Sequence, residues 1–233
     1  MPKITVINYA THDHQHKLKR HMEWVKHWTK GWSDVNIVSY CPDSLDNDFR
    51  LRNEHILRQP RGAGYWLWKP YVLALALNLD TDYVVYCDVA SVLLKPLRYY
   101  IDILSNNTAT AFVYHAMCYE YQWTKRDLLI KLDADNNEVL DTHQIAATAH
   151  IWKTSELSRK IVDHWLTLCQ DAHNITDSAS VAANHCGCRG HRHDQSVFSL
   201  VLKKHYLNDV VLEPFDDNVG HHHITKGYDV CQP

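Results

Sequence analysis

The sequence contains no run approaching the roughly 20 consecutive apolar residues that a membrane-spanning helix needs. It also has no excess of either charge. Lys and Arg number 24 against 27 Asp and Glu, a formal net charge of −3, so nothing in the composition advertises nucleic acid or an anionic membrane as a partner. Glycine and proline are sparse, seven of each in 233 residues, and with 45% hydrophobic residues this excludes collagen-like, low-complexity and disordered classes. No internal repeat or linker divides the chain, so residues 1–233 are expected to form a single domain. A P-loop, a dinucleotide-binding fingerprint and a nucleophile triad are all missing. The seven cysteines are odd in number and scattered. The short apolar start, MPKITVINYA, reads as a strand rather than a secretory signal, and reduced thiols in a cytoplasmic protein are the expectation. What the chain does have in quantity is imidazole and aromatic rings: 18 His, 13 Tyr and 8 Trp. Such side chains suit a polar cleft that holds a sugar, a base or a metal.

Periodicity predicts an α/β protein. KITVINYA alternates as an opening strand and breaks at THDH, and the segment after it carries Leu18, Met22, Val25 and Trp28 at helical spacing up to Gly31. VNIVSY is a second strand, residues 45–66 are irregular, and KPYVLALALNLD is a short apolar helix beginning at a proline. YVVYCDVASVLL is an apolar strand interrupted by an acid. In the second half, ATAFVYHAM and IAATAHIW read as strands, TKRDLLIKL as a short helix, SELSRKIVDHWLTLCQ as an amphipathic helix capped by Ser155, and HRHDQSVFSLVLKKHY as another helix. The tail from Glu213 reads as loop. Strands alternating with helices imply a mostly parallel central sheet.

Asp88 is the most informative position, because it ends a buried strand, where open α/β sheets place their ligands. A carboxylate there suits a hard divalent cation bridging a diphosphate, or simply the start of a turn. Asp133 and Asp135 spell D-x-D literally, but they follow a helix and enter an Asn-rich turn, so they read as a solvated loop. RGAGYWLWKPY (61–71) gathers Arg61, Lys69, two Gly and two Trp. Gly62 and Gly64 permit unusual torsions, Arg61 and Lys69 could neutralise phosphate, and Trp66 or Trp68 could stack on a base or join the core. Asp194 and Gln195 begin a helix, as a cap or as groups facing a reacting centre. His185, Cys186, Cys188, His191 and His193 match no common zinc spacing. His221, His222 and His223 form a late imidazole run.

RGAGYWLWKP at 61–70, YCDVAS at 86–91 and HRHDQS at 191–196 occur in order along most of the chain. Together they resemble small bacterial and viral nucleotide-sugar glycosyltransferases of the GT-A fold. The resemblance implies a nucleotide-sugar-binding half (1–100), an acceptor and catalytic half (101–233), and transfer from a UDP- or GDP-linked donor to a glycan or other hydroxyl acceptor. It implies Mn2+ or Mg2+ held by an acidic motif whose first acid is Asp88; Ala90 stands where the second would be, and a late His, from His221 to His223, would complete the ligands. Tyr9, Ala10 and Thr11 fall where such enzymes hold base and ribose, with Arg61, Trp68 and Lys69 also on the donor. Asp194 and Gln195 occupy the catalytic helix start, compatible with inversion or retention, and Trp123, Lys125, Arg126 and Asp127 are candidates for the acceptor side. Two alternatives compete: a non-catalytic sugar or nucleotide binder, and a metal-dependent phosphoryl hydrolase or nucleotidyltransferase.

Overall fold

A computed structural model describes residues 1–213 and the strand at 224–226. Its centre is a six-stranded sheet. In chain order the strands are β1 (Ile4–Tyr9), β2 (Val35–Tyr40), β3 (Tyr83–Cys87), β5 (Ala111–Tyr119), β6 (His143–Lys153) and β7 (Val210–Glu213), arranged β2-β1-β3-β6-β5-β7. A short pair, β4 (Ser91–Leu93) with β8 (Ile224–Lys226), is antiparallel. Within the large sheet β1 pairs in parallel with β2 and β3, and β5 with β7, while β6 lies antiparallel between β3 and β5. Five strands therefore point one way and β6 the other, which is the mostly parallel sheet expected from the sequence.

Side chains alternate across this sheet with period two. Ile7, Tyr9, Val84, Tyr86 and Val113 face one core; Ile4, Val6, Val85, Cys87 and Phe112 face the other. Helices α1 (Gln15–Trp28) and α3 (Leu97–Ser105) cover the second face through Val25, Trp28, Tyr100 and Leu104. Helices α2 (Trp68–Ala76), α4 (Glu156–Cys169) and α5 (His193–Val201) cover the first through Val72, Leu73, Ile161, Trp165, Val197 and Phe198. Ser155 caps α4 as predicted, its side chain accepting from Ser158 N–H.

Three expectations change. The segment predicted irregular holds two short helices, Asn47–Arg52 and Glu54–Leu57; Asp46 caps the first by accepting from Phe49 N–H. Helix α2 begins two residues before Pro70, so the proline sits inside the first turn, where its missing N–H is still harmless. The tail from Glu213 is not all loop, since Ile224–Lys226 pairs with β4; just before it, Val210–Glu213, unassigned from sequence up to Leu212, adds β7 to the sheet edge.

Because β1 and β3 are parallel neighbours, their carboxyl ends emerge together, bringing Tyr9 and Thr11 beside Asp88. Strand β6 runs the other way past this edge, and its Thr148 carbonyl accepts from Asp88 N–H at 2.8 Å. The antiparallel strand thereby delivers Ala147 and Thr148 from the second half of the chain to the end of a first-half strand.

Candidate functional site

The cleft at this edge has two lobes. One, about 540 Å3, is lined by Tyr9, Thr11, His14, Lys17, Trp66 and Asp88, among others. The second, about 390 Å3, is lined by Arg61, Trp123, Ala147, Arg192, Asp194 and Gln195, among others. Trp66 and Asp88 belong to both.

At the floor lies a buried charge cluster. The Lys69 ammonium donates to Ala147 O at 3.0 Å and sits 3.3 Å from Asp88 Oδ1 and 3.1 Å from Asp194 Oδ2. The Tyr86 hydroxyl donates to Asp88 Oδ1, and its ring lies under the ammonium at 5.4 Å. One buried cation is thus shared by two carboxylates, Asp194 buried with it and Asp88 partly exposed to the cleft. Burial alone would lower the Lys69 ammonium, but Asp194 and Asp88 outweigh it and hold its pKa above the usual lysine value. At Asp194 burial wins: with the Asp88 charge it outweighs the ammonium and pushes the carboxyl up to about 6. Asp194 Oδ2 is buried, with the Lys69 ammonium as its charged partner.

Local backbone explains why these groups meet. Residues 62 to 66 all have positive φ: Gly62 (58°), Ala63 (50°), Gly64 (94°), Tyr65 (52°) and Trp66 (61°). This is a left-handed turn, closed by Tyr65 N–H to Arg61 O (2.7 Å) and Trp66 N–H to Gly62 O (3.2 Å). Both glycines are required: a Cβ on Gly62 would lie 2.4 Å from the Trp66 ring, and one on Gly64 would lie 2.6 Å from Leu57 Cα. The turn projects Trp66 into the cleft and starts α2 with Lys69 pointing under the sheet edge. Opposite it, His193 also has positive φ (53°) immediately before Asp194. Its ring stacks on Trp66 at 5.4 Å, and its Nδ1 pairs with Ile175 O at 2.9 Å. The Trp165 indole N–H holds Asp194 O at 3.0 Å. Two strained segments thus brace each other, as functional sites often do.

The structure brings together Tyr9, Thr11, Arg61, Lys69, Asp88, Asp194 and Gln195. Ala10 is buried outside the lining, its N–H donating to Tyr40 O. Trp68 reaches the first lobe only by an edge: it is 5% exposed, stacks on Tyr9 at 3.8 Å, and donates to Gly62 O. Lys69 lines the second lobe, but its ammonium is already surrounded by three oxygens. Arg61 is exposed and pairs with Asp177 at 3.3 Å. His221, His222 and His223 lie outside the described residues.

Other candidates turn out to hold loops. Asp127 accepts from Val181 and Ala182 N–H and pairs with His173, and these hydrogen bonds hold its carboxyl well below the usual range. The Lys125 ammonium donates to the carbonyls of His173 and Ser178, and Arg126 pairs with Asp135 at 3.0 Å. Of the four acceptor-side residues only Trp123 lines the cleft, under the Arg192 guanidinium at 4.5 Å. The literal D-x-D is likewise scaffold. Asp135 is held by Arg126 and His185, and Asp133 is at the surface beside Lys204. His191 donates from Nε2 to Asn174 O and accepts Lys125 N–H at Nδ1. Sequence reasoning missed Lys17, Tyr86, Ala147 and Arg192. Tyr86 was legible in principle, lying near the end of β3 two residues before Asp88, a spacing that extended chain places on one face.

Among the described residues, no three His, Cys, Asp or Glu side chains converge as a metal-binding set. Asp88 Oδ1 is taken by Tyr86 and Lys69, and Oδ2 has no protein partner among these residues. One carboxylate oxygen without a protein partner among the described residues suits a divalent cation that arrives with its own phosphate and water ligands. No helix among the described residues is long and apolar enough to cross a membrane.

Searches with the sequence return no matching family model and no matching curated protein. Comparison of structures does return matches. The chain superposes on the bifunctional glycosyltransferase WbbM with a TM-score of 0.57 at 11% identity, over 91% of this chain and 39% of WbbM. The chain thus spans about two fifths of that protein. Mouse xyloside xylosyltransferase 1 and the galactosyltransferase LgtC, the latter solved with donor and acceptor sugar analogs, each match with a TM-score of 0.49. Identities are 11% and 10%, with coverage of 92% and 89% of this chain and 85% and 72% of theirs. The WbbM superposition shows the fold, which is of GT-A glycosyltransferase type; it does not by itself assign an activity.

Proposed function

We propose that the protein transfers a sugar from a nucleoside diphosphate donor to a hydroxyl acceptor. The observation that carries this reading is the Lys69–Asp88–Asp194 cluster at the floor of a two-lobed cleft, which sets two carboxylates around one buried cation where both lobes meet. The larger lobe, at the ends of β1 and β3, takes the nucleotide against Tyr9, Thr11 and Trp66. Lys17 and Arg61, one in each lobe, are the cations placed to offset diphosphate charge. Lys69 keeps Asp88 and Asp194 in place and is a positioning residue in this reading. Mn2+ or Mg2+ would be held by Asp88 with the donor's own oxygens, and when bound would offset charge building on the leaving diphosphate. Asp194 accepts a hydroxyl proton or stabilises the positive charge developing at the sugar, and Gln195 lies beside it. The acceptor enters over Trp123 and Arg192.

A donor panel tests this. UDP-, GDP- and dTDP-sugars are incubated with and without Mn2+, and nucleoside diphosphate release is read by mass. A donor present at 100 times its dissociation constant raises stability by about 2.7 kcal/mol. Asp194→Asn is expected to keep that thermal shift while transfer falls by about two or more orders of magnitude. Asp88→Ala is expected to lose the Mn2+-dependent part of the shift. No shift and no release with any donor would overturn the reading. Ala90 lines the donor lobe where a second acid would stand and favours one rival, a binder without turnover. Shift without release would establish that rival.

A further inference from the structure

Behind the cleft, away from Lys69, lies a second buried polar cluster that the proposed reaction leaves unused. Its anchor is Glu120, fully buried, with Oε1 accepting from Lys203 Nζ (3.0 Å) and from the Ser199 hydroxyl. Ser199 in turn accepts Ile145 N–H at 2.7 Å, so its own proton is directed at Glu120. Glu120 Oε2 accepts from the Thr124 hydroxyl at 2.7 Å and from Gln144 Nε2 at 3.2 Å.

These contacts decide which way the Gln144 amide faces. A carboxylate can only accept, so the amide end beside it must be NH2. The other groups around that end agree. Thr124 Oγ1 lies at 2.8 Å with its proton already given to Glu120, and Ser196 Oγ lies at 3.2 Å with its proton given to Trp123 O. Gln144 Oε1 is thereby turned toward Gln195 and accepts from Gln195 Nε2 at 2.8 Å. Gln144 is fully buried, so the NH2 of Gln195 points away from the cleft. The oxygen of Gln195 takes the opposite end, at Ala147 N (3.4 Å), and Ala147 lines the cleft.

From this chain of acceptors and donors we infer that Glu120, acting through Gln144, is a positioning residue that sets the polarity of the Gln195 amide, so that the cleft is offered a carbonyl oxygen and not an NH2 group. The inference rests on the transferase reading for its consequence. An oxygen at that wall favours positive charge developing on a sugar, whereas an NH2 opposes it. The widened helical segment Leu202–Tyr206, continuous with α5, carries Lys203 to Glu120. The pair balances the buried charge.

The test replaces the ion pair with neutral groups, Glu120→Gln with Lys203→Met, so that no buried charge is stranded. A second variant, Gln144→Leu, removes the intermediary and leaves the ion pair intact. In 15N-labelled protein the Gln195 NH2 resonances, assigned by their loss in Gln195→Ala, are expected as one pair in the wild type. In both variants they double or broaden as the amide samples two orientations. With a donor that turns over, kcat falls about tenfold or more, roughly 1.4 kcal/mol, with donor KM held within about twofold. On a Gln195→Ala background the same substitutions cause no further fall, because the path through Gln195 is already cut. An unchanged NH2 pair in both variants would overturn the inference, as would an equal loss of kcat without Gln195. If the wild type turns over no donor, the transferase reading fails, and the NH2 resonances alone decide the amide's polarity.

Discussion

Lys69 illustrates how far a single residue can be read. Its sequence neighbourhood, KPYVLALAL, is apolar on every side, and a lone lysine in such a run belongs to a buried helix. That signal was present; phosphate neutralisation nonetheless looked natural because Arg61 and two glycines stand nearby. Asp88 was legible because a carboxylate at the end of a buried strand has few structural uses. Asp194 was named as a catalytic candidate; what sequence could not supply was its contact with Lys69, since it lies 125 positions beyond and only the sheet topology joins them. The shared cation has a pH consequence. The Asp194 carboxyl is raised from an ordinary 3.8 to about 6 in the folded protein, by burial first and then by Asp88. The folded state therefore binds this proton more tightly than the unfolded state does. Its contribution favours folding below about pH 4 and is withdrawn as pH rises through about 6. Thermal unfolding measured from pH 4 to 7 should show the difference between wild type and Asp194→Asn shrinking or reversing across that window. A difference independent of pH would contradict the raised carboxyl. The same titration predicts transfer activity rising through about pH 6, since the ionised form is the useful one.

Among the elements, the left-handed turn at 62–66 departs most from what propensity dictates. Its glycines were readable as points of freedom. Ala63, Tyr65 and Trp66 were not, because nothing in their identity marks positive φ, and each non-glycine residue there costs roughly 1–2 kcal/mol. Burial on either side offsets that cost: Leu57 packs against Gly64, while Leu67 and Trp68 enter the core, and a buried leucine contributes about 1.5–3 kcal/mol. Gly64→Ala adds strain at φ 94° and a contact with Leu57 Cα, backbone that cannot swing aside. We expect it to lower unfolding free energy by more than about 2 kcal/mol and to weaken ligand binding through Trp66. Chemical denaturation and the donor thermal shift check both. Gly31, with φ 87° and nothing within 4 Å of a Cβ, is the control. Alanine there should cost only its backbone strain, about 1 kcal/mol. The two terminal strands were missed for a different reason. VVLE and ITK are three or four residues long, too short for alternation to be recognised, and they are strands because β5 and β4 offer them an edge.

For the whole molecule, strand and helix alternation was readable in the first half, where each strand is near in sequence to its neighbour. The position of β6 was not. It lies antiparallel between β3 and β5, some 60 residues after the first of these, and such pairing is fixed by tertiary packing more than by local pattern. The insertion ties the halves suggested by the motifs to one another. Strand β3 loses its outer neighbour without β6, and Lys69 loses Ala147 O and Asp194. A fragment of residues 1–106 expressed alone should show no cooperative thermal transition, whereas co-expression with residues 107–233 should restore one. A sharp transition in the first fragment alone would mean that the boundary between halves is a real domain boundary. The cleft built on this junction has one further consequence, for measurement. Trp66 is the wall between its two lobes and stacks on the His193 imidazole, so an occupant of either lobe changes the surroundings of the same indole. Subtracting the emission of a Trp66→Phe protein isolates that one fluorophore from the other seven tryptophans, and the molecule reports occupancy without a label.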